Sequence, residues 1–474
     1  MNRNTPPAVW TIVGIFLISR LIIPLFGIHL DYSALFKNWQ YLDVTTLKTN
    51  IWTGIWFDHT QPPVFNLLLS AVLHLTGSRA PLAFSLLFKL ISLVNALLLF
   101  ALLRQTVRHP RLPLLFTLLY LLSPASIIFE NELFYTSFIS MLLLISCFFL
   151  LDLPKGIRAG NAIGFLLPLV LVALTRSMYH ILLLFILCAL VIGYYHKVKG
   201  ARLLVALSIL SLAGVGSWYV KNYILFRTFS TSSWMGMNLA RNVFHDAVVT
   251  DSTRIETIEP FSNISVYEHF RSPQEEQQYR GLNDRDLLRE YKNDSFWNEK
   301  HVGYLRVSQV YMTASKQAIQ AHPAAYLKNV LQSTIIFFAP ATRYPPSEHQ
   351  AAKIKYYDLV YSFNLSHFAH GKQQRRLALT LSALPKLIFY CLVFLGITKQ
   401  ALREKKIPCL TLFITIIIGY IFCIGSFFEH YENMRFRYEA EPLFLILAAG
   451  VVSNYLLKRN RRVELPKDGL PERS

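Results

Sequence analysis

Long apolar runs alternate with short polar stretches along most of this chain, a pattern that predicts membrane-crossing helices rather than the core of a soluble domain. A helix needs about 20 mainly apolar residues to cross roughly 30 Å of hydrocarbon, and on that measure about ten segments qualify. They are residues 8–27, 80–103, 112–129, 133–151, 162–175, 179–195, 203–220, 381–397, 408–428 and 443–457. Short loops rich in Lys and Arg stay on the cytoplasmic side. Five clusters agree in side when ten segments span: Arg104, Arg108 and Arg111; Lys155 and Arg158; Lys197, Lys199 and Arg202; Lys399, Arg403, Lys405 and Lys406; and Lys458, Arg459, Arg461 and Arg462. Both termini are then cytoplasmic. Two further apolar runs, 62–76 and 324–340, would carry three of these clusters outward if both spanned. They are therefore read as interfacial or re-entrant helices on the outer face, with Pro62, Pro63, Pro323 and Pro340 at their ends.

The expected fold is thus an all-α polytopic membrane protein of about ten transmembrane helices plus two interfacial or re-entrant helices. Residues 1–220 form an N-terminal transmembrane module with a first outer loop at 28–79, and residues 221–322 a small extracytoplasmic polar cap containing an amphipathic run at 303–321. Residues 323–457 form a C-terminal membrane module and 458–474 a basic cytoplasmic tail. A composition of 53% hydrophobic and 16% charged residues in 474 fits this reading and excludes an ordinary soluble domain set. The net charge of +19 does not point to nucleic acid, because the basic residues fall in short clusters between apolar runs. The cysteines, Cys147, Cys188, Cys391, Cys409 and Cys423, lie in or beside apolar runs without metal or disulfide spacing and read as small core residues. The first apolar segment lacks a small-residue cleavage site and reads as a retained anchor. A bacterial inner membrane is the favoured location, with the endoplasmic reticulum as the alternative; sequons at Asn263, Asn293 and Asn364 would fit the latter weakly.

Candidate chemistry concentrates on the outer side of this map. The stretch 28–66 is polar where its neighbours are apolar; it carries Asp31, Asp43 and Asp58 beside the interface-suited Tyr32, Trp39, Tyr41, Trp52 and Trp56. Asp31 and Glu132 (or Glu130) each sit at an outer helix end, so folding can bring both to one cavity, one carboxylate to act and one to orient. The competing reading makes such acids solvated caps. Outward basic residues are Arg176, Lys221, Arg227, Arg241, Arg343, Arg435 and Arg437. An arginine fork suits phosphate, and Arg435 and Arg437 run against the positive-inside tendency, although snorkelling toward water explains any one of them equally. His29, His59 and His430 lack the spacing of a helical metal motif, and His59 is expected to cap the helix that starts at Pro62. No glycine-rich phosphate loop precedes a helix, so direct nucleotide use is not supported.

An acid just beyond the first helix, the run Gln61-Pro62-Pro63-Val64-Phe65, and Pro124 upstream of Glu132 resemble membrane glycosyltransferases of the GT-C type. The nearest likeness is to the dolichyl-phosphate-mannose protein mannosyltransferase and aminoarabinose transferase group. Its later landmarks are similar to residues 218–223, 233–238, 322–327 and 435–442, in the same order across nearly the whole chain. The resemblance implies transfer of a monosaccharide, with inversion, from a polyprenyl-phosphate donor to a lipid, glycan or protein acceptor at the non-cytoplasmic face. It implies Asp31 as base, Glu132 as binder or orienter of the acceptor, Arg176, Arg435 and Arg437 as holders of the donor phosphate, and His59, Pro62 and Pro63 as supports of the loop. That scheme requires no metal and no cofactor. Two departures stand out: Tyr32 follows Asp31 where the group often has a second acid, and Gln61 precedes the prolines where it has Lys or His. A lipid-linked-sugar flippase or secondary transporter is the rival from another class, but the acids and bases gather at one surface and no internal repeat is visible.

Overall fold

The computed structural model describes residues 7–244, 287, 289, 291–292 and 296–463. Helices dominate it; among the described residues the only paired strands are Tyr291–Lys292 and Phe296–Trp297, antiparallel and two residues each. Six helical stretches are long and apolar enough to cross a membrane: Pro7–Phe26, Val64–Thr106, Thr136–Lys155, Ala201–Phe226, Gly371–Glu404 and Cys409–Phe428. A seventh is Asn433–Glu439 with Glu441–Leu457, if that pair, bent by 62°, is one span. Leu112–Leu121, Ala159–Ala173 and Ile181–Tyr195 are apolar but shorter. The chain is an all-α membrane protein.

Local chemistry explains one difference from the expected segments. The run 112–129 is not one helix but two, Leu112–Leu121 and Pro124–Phe129. Pro124 has no N–H to offer and pushes Ser123 out of helical geometry, to φ −61° and ψ 138°. Ser123 then caps the second helix, its Oγ accepting from Ser126 N at 3.0 Å. The run at 62–76, expected as an interfacial or re-entrant helix, forms the helix Val64–Thr76 and passes through the single turn Gly77–Arg79 into Ala80–Thr106. Together they make a 43-residue stretch. At about 1.5 Å per residue that is roughly twice the hydrocarbon thickness, so part of it lies outside the apolar layer.

The loops that carry the basic clusters meet at one end of the bundle. Ile157 N donates to Lys199 O at 2.9 Å, Tyr194 Oη to Ile407 O at 2.9 Å, His109 N to Ser453 Oγ at 3.2 Å and Asn454 Nδ2 to Gln400 Oε1 at 2.9 Å. Gly200 belongs to this junction: it holds φ +92°, and a Cβ there would stand 2.1 Å from Ile157 O.

At the other end lies the polar cap. Its helix Gly303–Ala321 buries Tyr304, Val307, Tyr311 and Ala318 against Trp234, Met237, Ala240 and Phe244 on and beside Met235–Phe244. The two helices touch at Gly236, where an added Cβ would sit 1.9 Å from Ser308 O. Gly236→Ala is therefore expected to cost about 1–3 kcal/mol by overpacking. A thermal unfolding midpoint equal to that of the unsubstituted protein would show that this crossing is loose. The Ala201–Phe226 helix runs past the expected boundary at 220/221, so Lys221 belongs to it rather than to the cap. The sequons Asn263 and Asn293 lie outside the described residues. Asn364 is fully buried, and its Nδ2 donates to Asp358 Oδ2 at 2.7 Å, so the folded chain offers no acceptor there.

Candidate functional site

Two acids that the sequence sets about a hundred residues apart lie side by side. Asp31 N donates to Asn131 O at 3.0 Å, and Asp31 and Glu132 pair as an isolated parallel bridge. One Asp31 oxygen accepts from Ser33 N at 3.0 Å and Ser33 Oγ at 2.6 Å. Those two bonds orient the partly exposed carboxylate and leave its second oxygen without a partner among the described residues. Glu132 accepts from Ser347 Oγ at 3.1 Å. Burial pushes its carboxyl up to about 7, even though the Arg435 charge and the Ser347 hydrogen bond pull it down; Glu432 and Asp31 add to the rise.

Arg20 on the first helix distinguishes the surroundings of Glu130 from those of Glu132. Arg20 Nε stands 2.9 and 3.0 Å from the two Glu130 oxygens, Arg20 Nη2 stands 2.8 Å from Oε2, and both side chains are buried. Glu130 is thus fully engaged, and it braces the first helix. Glu130→Gln leaves a buried guanidinium without its counter-charge and is expected to cost about 3–5 kcal/mol of stability. Thermal unfolding in detergent reads this directly, and a midpoint within experimental scatter of the parent would refute it.

Arg435 and Glu432, whose charges act on Glu132, line a cavity of about 280 Å³ together with Gln61, Arg176, Arg241 and Glu429; neither Asp31 nor Glu132 is itself among its lining residues. Its wall is a chain of alternating charges. Arg176 pairs with Glu439, Glu439 lies 3.8 Å from Arg435, Arg435 pairs with Glu432, Glu432 lies 3.7 Å from Arg241, and Arg241 lies 3.2 Å from Glu429. Rings cover the guanidinium faces: Arg176 lies 3.7 Å from the Phe436 centroid, and Arg435 lies 4.4 Å from Phe134 and 5.0 Å from Tyr344. Arg435 is 0% exposed, yet its Nε and Nη1 have no hydrogen-bond partner among the described residues. Trp39 and Trp234, stacked at 5.2 Å, add an aromatic flank to the same cavity.

Compared with known protein families, curated proteins and solved structures, the chain matches none. The site must therefore be read from its own chemistry. A buried guanidinium with open donors suits an anionic oxygen, and a fixed carboxylate with one open oxygen suits a proton in transfer.

The remaining expected residues divide by position. Arg437 is buried away from the cavity: Nε donates to Phe337 O at 2.8 Å, Nη2 to Ala339 O at 3.0 Å and Nη1 to Glu441 Oε2 at 2.5 Å. With its three kinds of donor taken, it ties the bend before Glu441 to the end of Pro323–Phe338. His59 does not cap the helix after Pro62, which has no side-chain cap. Its Nδ1 instead meets Ser233 Oγ at 2.7 Å and its Nε2 meets Lys300 O at 3.1 Å, and burial lowers the ring to about 3, keeping it neutral. Pro63 sits at the start of Val64–Thr76, next to Pro62 and the cavity-lining Gln61. Asp58 is pinned beneath the cap by Lys300 Nζ at 2.7 Å and by Thr60 N at 2.8 Å. Burial favours its neutral form, but the Lys300 charge and the hydrogen bonds outweigh this and hold the carboxyl below its usual range. These residues shape the loop and the cap over it. Among the described residues, no group of three or more His, Cys, Asp or Glu side chains converges as a metal site would require.

Glu429, Glu432 and Glu439 were missed as site residues, as was the Trp39–Trp234 pair. A signal existed: Glu432, Arg435 and Glu439 are spaced by three and then four residues, placing opposite charges on one face of a short helix between two apolar ones.

Proposed function

We propose that this protein is a GT-C type glycosyltransferase of about ten spans and two interfacial or re-entrant helices. It moves a monosaccharide from a polyprenyl-phosphate donor to a lipid, glycan or protein acceptor at the non-cytoplasmic face, in a bacterial inner membrane. The observation that carries this reading is the junction of the Asp31–Glu132 pair with Arg435 and its open donors. The gathering of the basic loops at the opposite end of the bundle supports the sidedness.

In the proposed reaction an acceptor hydroxyl attacks the sugar's C1 as Asp31 takes its proton. The bond from C1 to the phosphate oxygen breaks with its electron pair, leaving a polyprenyl phosphate whose added charge Arg435 stabilises. Glu132 positions the acceptor, and the stacked Trp39 and Trp234 offer a flat apolar face to the sugar ring. Arg176, held by Glu439, contributes charge rather than a free fork. Arg437 supports the bend and does not touch the donor. The test is reconstitution in liposomes with a panel of labelled polyprenyl-phosphate monosaccharides and a membrane lipid extract. Release of polyprenyl phosphate together with label on an acceptor is expected.

A transporter of lipid-linked sugar is the second reading, favoured by the 62° break between Asn433–Glu439 and Glu441–Leu457, since broken helices are common at transport sites. In the same liposomes it would move intact donor between leaflets without releasing polyprenyl phosphate. That outcome would overturn the transferase.

A further inference from the structure

On the far side of the segment that walls the charged cavity lies a second opening, an open groove of about 1190 Å³. Glu429, Glu432 and Arg435 face the cavity, whereas His430, Tyr431 and Met434 face the groove. The two differ sharply in charge. Each cavity arginine has a glutamate beside it, but the groove brings together Lys328, Arg343, Lys372, Arg375 and Arg376 against the single acid Glu348. Among the described residues none of those five cations forms an ion pair. Arg343 has a buried Nε with no hydrogen-bond partner among the described residues. Arg343 feels both the counter-charge of Glu348 and the like charge of Arg375, and five cations against one carboxylate leave an excess of positive charge that an anion would offset.

Membrane depth narrows the choice of anion. Gly371–Glu404 has 34 residues, so at about 1.5 Å each it overhangs a hydrocarbon layer of roughly 30 Å. Its Gln400 end joins the basic loops through Asn454, which places Lys372, Arg375 and Arg376 at the opposite end. Arg375 and Arg376 directly precede the apolar stretch that begins at Leu377, the level at which lipid headgroups lie. Below them the groove wall turns apolar, with Leu331, Ile335 and Leu379, and Leu331 and Leu377 are exposed. A basic rim over an exposed apolar wall matches an amphiphile with a phosphate head and acyl tails.

We propose that this groove binds the phosphate headgroup of an anionic membrane phospholipid, with its tails on the apolar wall, at a site separate from the charged cavity. The proposal does not depend on the transferase reading. Each cation near an anionic lipid surface contributes roughly five-fold to affinity. The full-length protein in detergent, mixed with phosphatidylglycerol or phosphatidylcholine, is followed by native mass spectrometry. The parent should retain phosphatidylglycerol at least about ten-fold better than phosphatidylcholine, and the Lys372→Gln, Arg375→Gln, Arg376→Gln triple variant should lose at least about ten-fold of that retention. Those three side chains are exposed, so the triple variant is expected to unfold at the parent's temperature. Arg375→Gln alone, with a drop of about five-fold, serves if it does not. Equal retention of the two lipids, or undiminished retention by the variants, would overturn the site. Full displacement of the lipid by millimolar inorganic phosphate would make it a soluble-anion site and overturn the lipid assignment.

Discussion

If the proposed transfer is the reaction, Asp31→Asn is expected to leave a folded, membrane-inserted protein that binds donor but transfers sugar at least about 100-fold more slowly, the lower end for removal of a general base. The amide keeps the acceptor for Ser33 N and Ser33 Oγ, so the local turn survives, while the oxygen that could take a proton is lost. Controls have to be chosen by burial. Asp58→Asn shares the loop but removes a buried charge from Lys300, and inactivity there would report a damaged cap. Asp43→Asn is the sounder control: Asp43 caps Val44–Thr49 by accepting from Thr45 N at 2.7 Å, and asparagine caps as well. Near-parental turnover by Asp31→Asn, with donor binding intact, would remove Asp31 from the chemistry.

Much of this arrangement was legible in the sequence because membrane burial leaves few reasons for an acid to sit at a helix end. Asp31 and Glu132 stood out on that ground, and folding joins their backbones. The different surroundings of Glu132 and Glu130 could not be read locally, since the partner of Glu130, Arg20, lies 110 residues upstream in the first apolar helix. The two arginines of Met434-Arg435-Phe436-Arg437 looked equivalent for a related reason. Residues two apart on a helix face nearly opposite sides, so only one of them can meet the cavity, and which one depends on a helix phase that composition does not reveal. Hydropathy also averaged across Ser123-Pro124 and merged two helices into one, although the proline itself marked the break. The paired charges of the cavity wall were overlooked although the spacing of Glu432, Arg435 and Glu439 carried them, because the arginines were weighed singly and not with the acids three and four residues away.

For the proposed donor, the effect of the Arg435 charge on Glu132 makes binding depend on pH in a definite direction. Burial raises the Glu132 carboxyl from its ordinary value near 4.5 to about 7, so below that pH it is neutral and the Arg435 charge is available to the donor. As pH rises through about 7 the carboxyl ionises, competes for the guanidinium and repels the donor's phosphodiester, whose own charge does not change over this range. Donor affinity should fall on the order of tenfold across that rise, the size expected for one charge a few ångströms away at an intermediate dielectric. Stability should fall in the window just below, between about 4.5 and 7, where the folded chain holds a proton on Glu132 that the unfolded chain has released, and should level off above about 7. Glu132→Gln fixes the neutral state, and its donor affinity should match the parent's low-pH value and lose most of this slope. Burial also raises Glu429, across the cavity wall, so a residual slope is expected in the variant and the difference between the two profiles isolates Glu132. Superimposable binding profiles for the parent and Glu132→Gln, measured with the same phosphodiester donor, would show that Glu132 does not share Arg435 with the substrate.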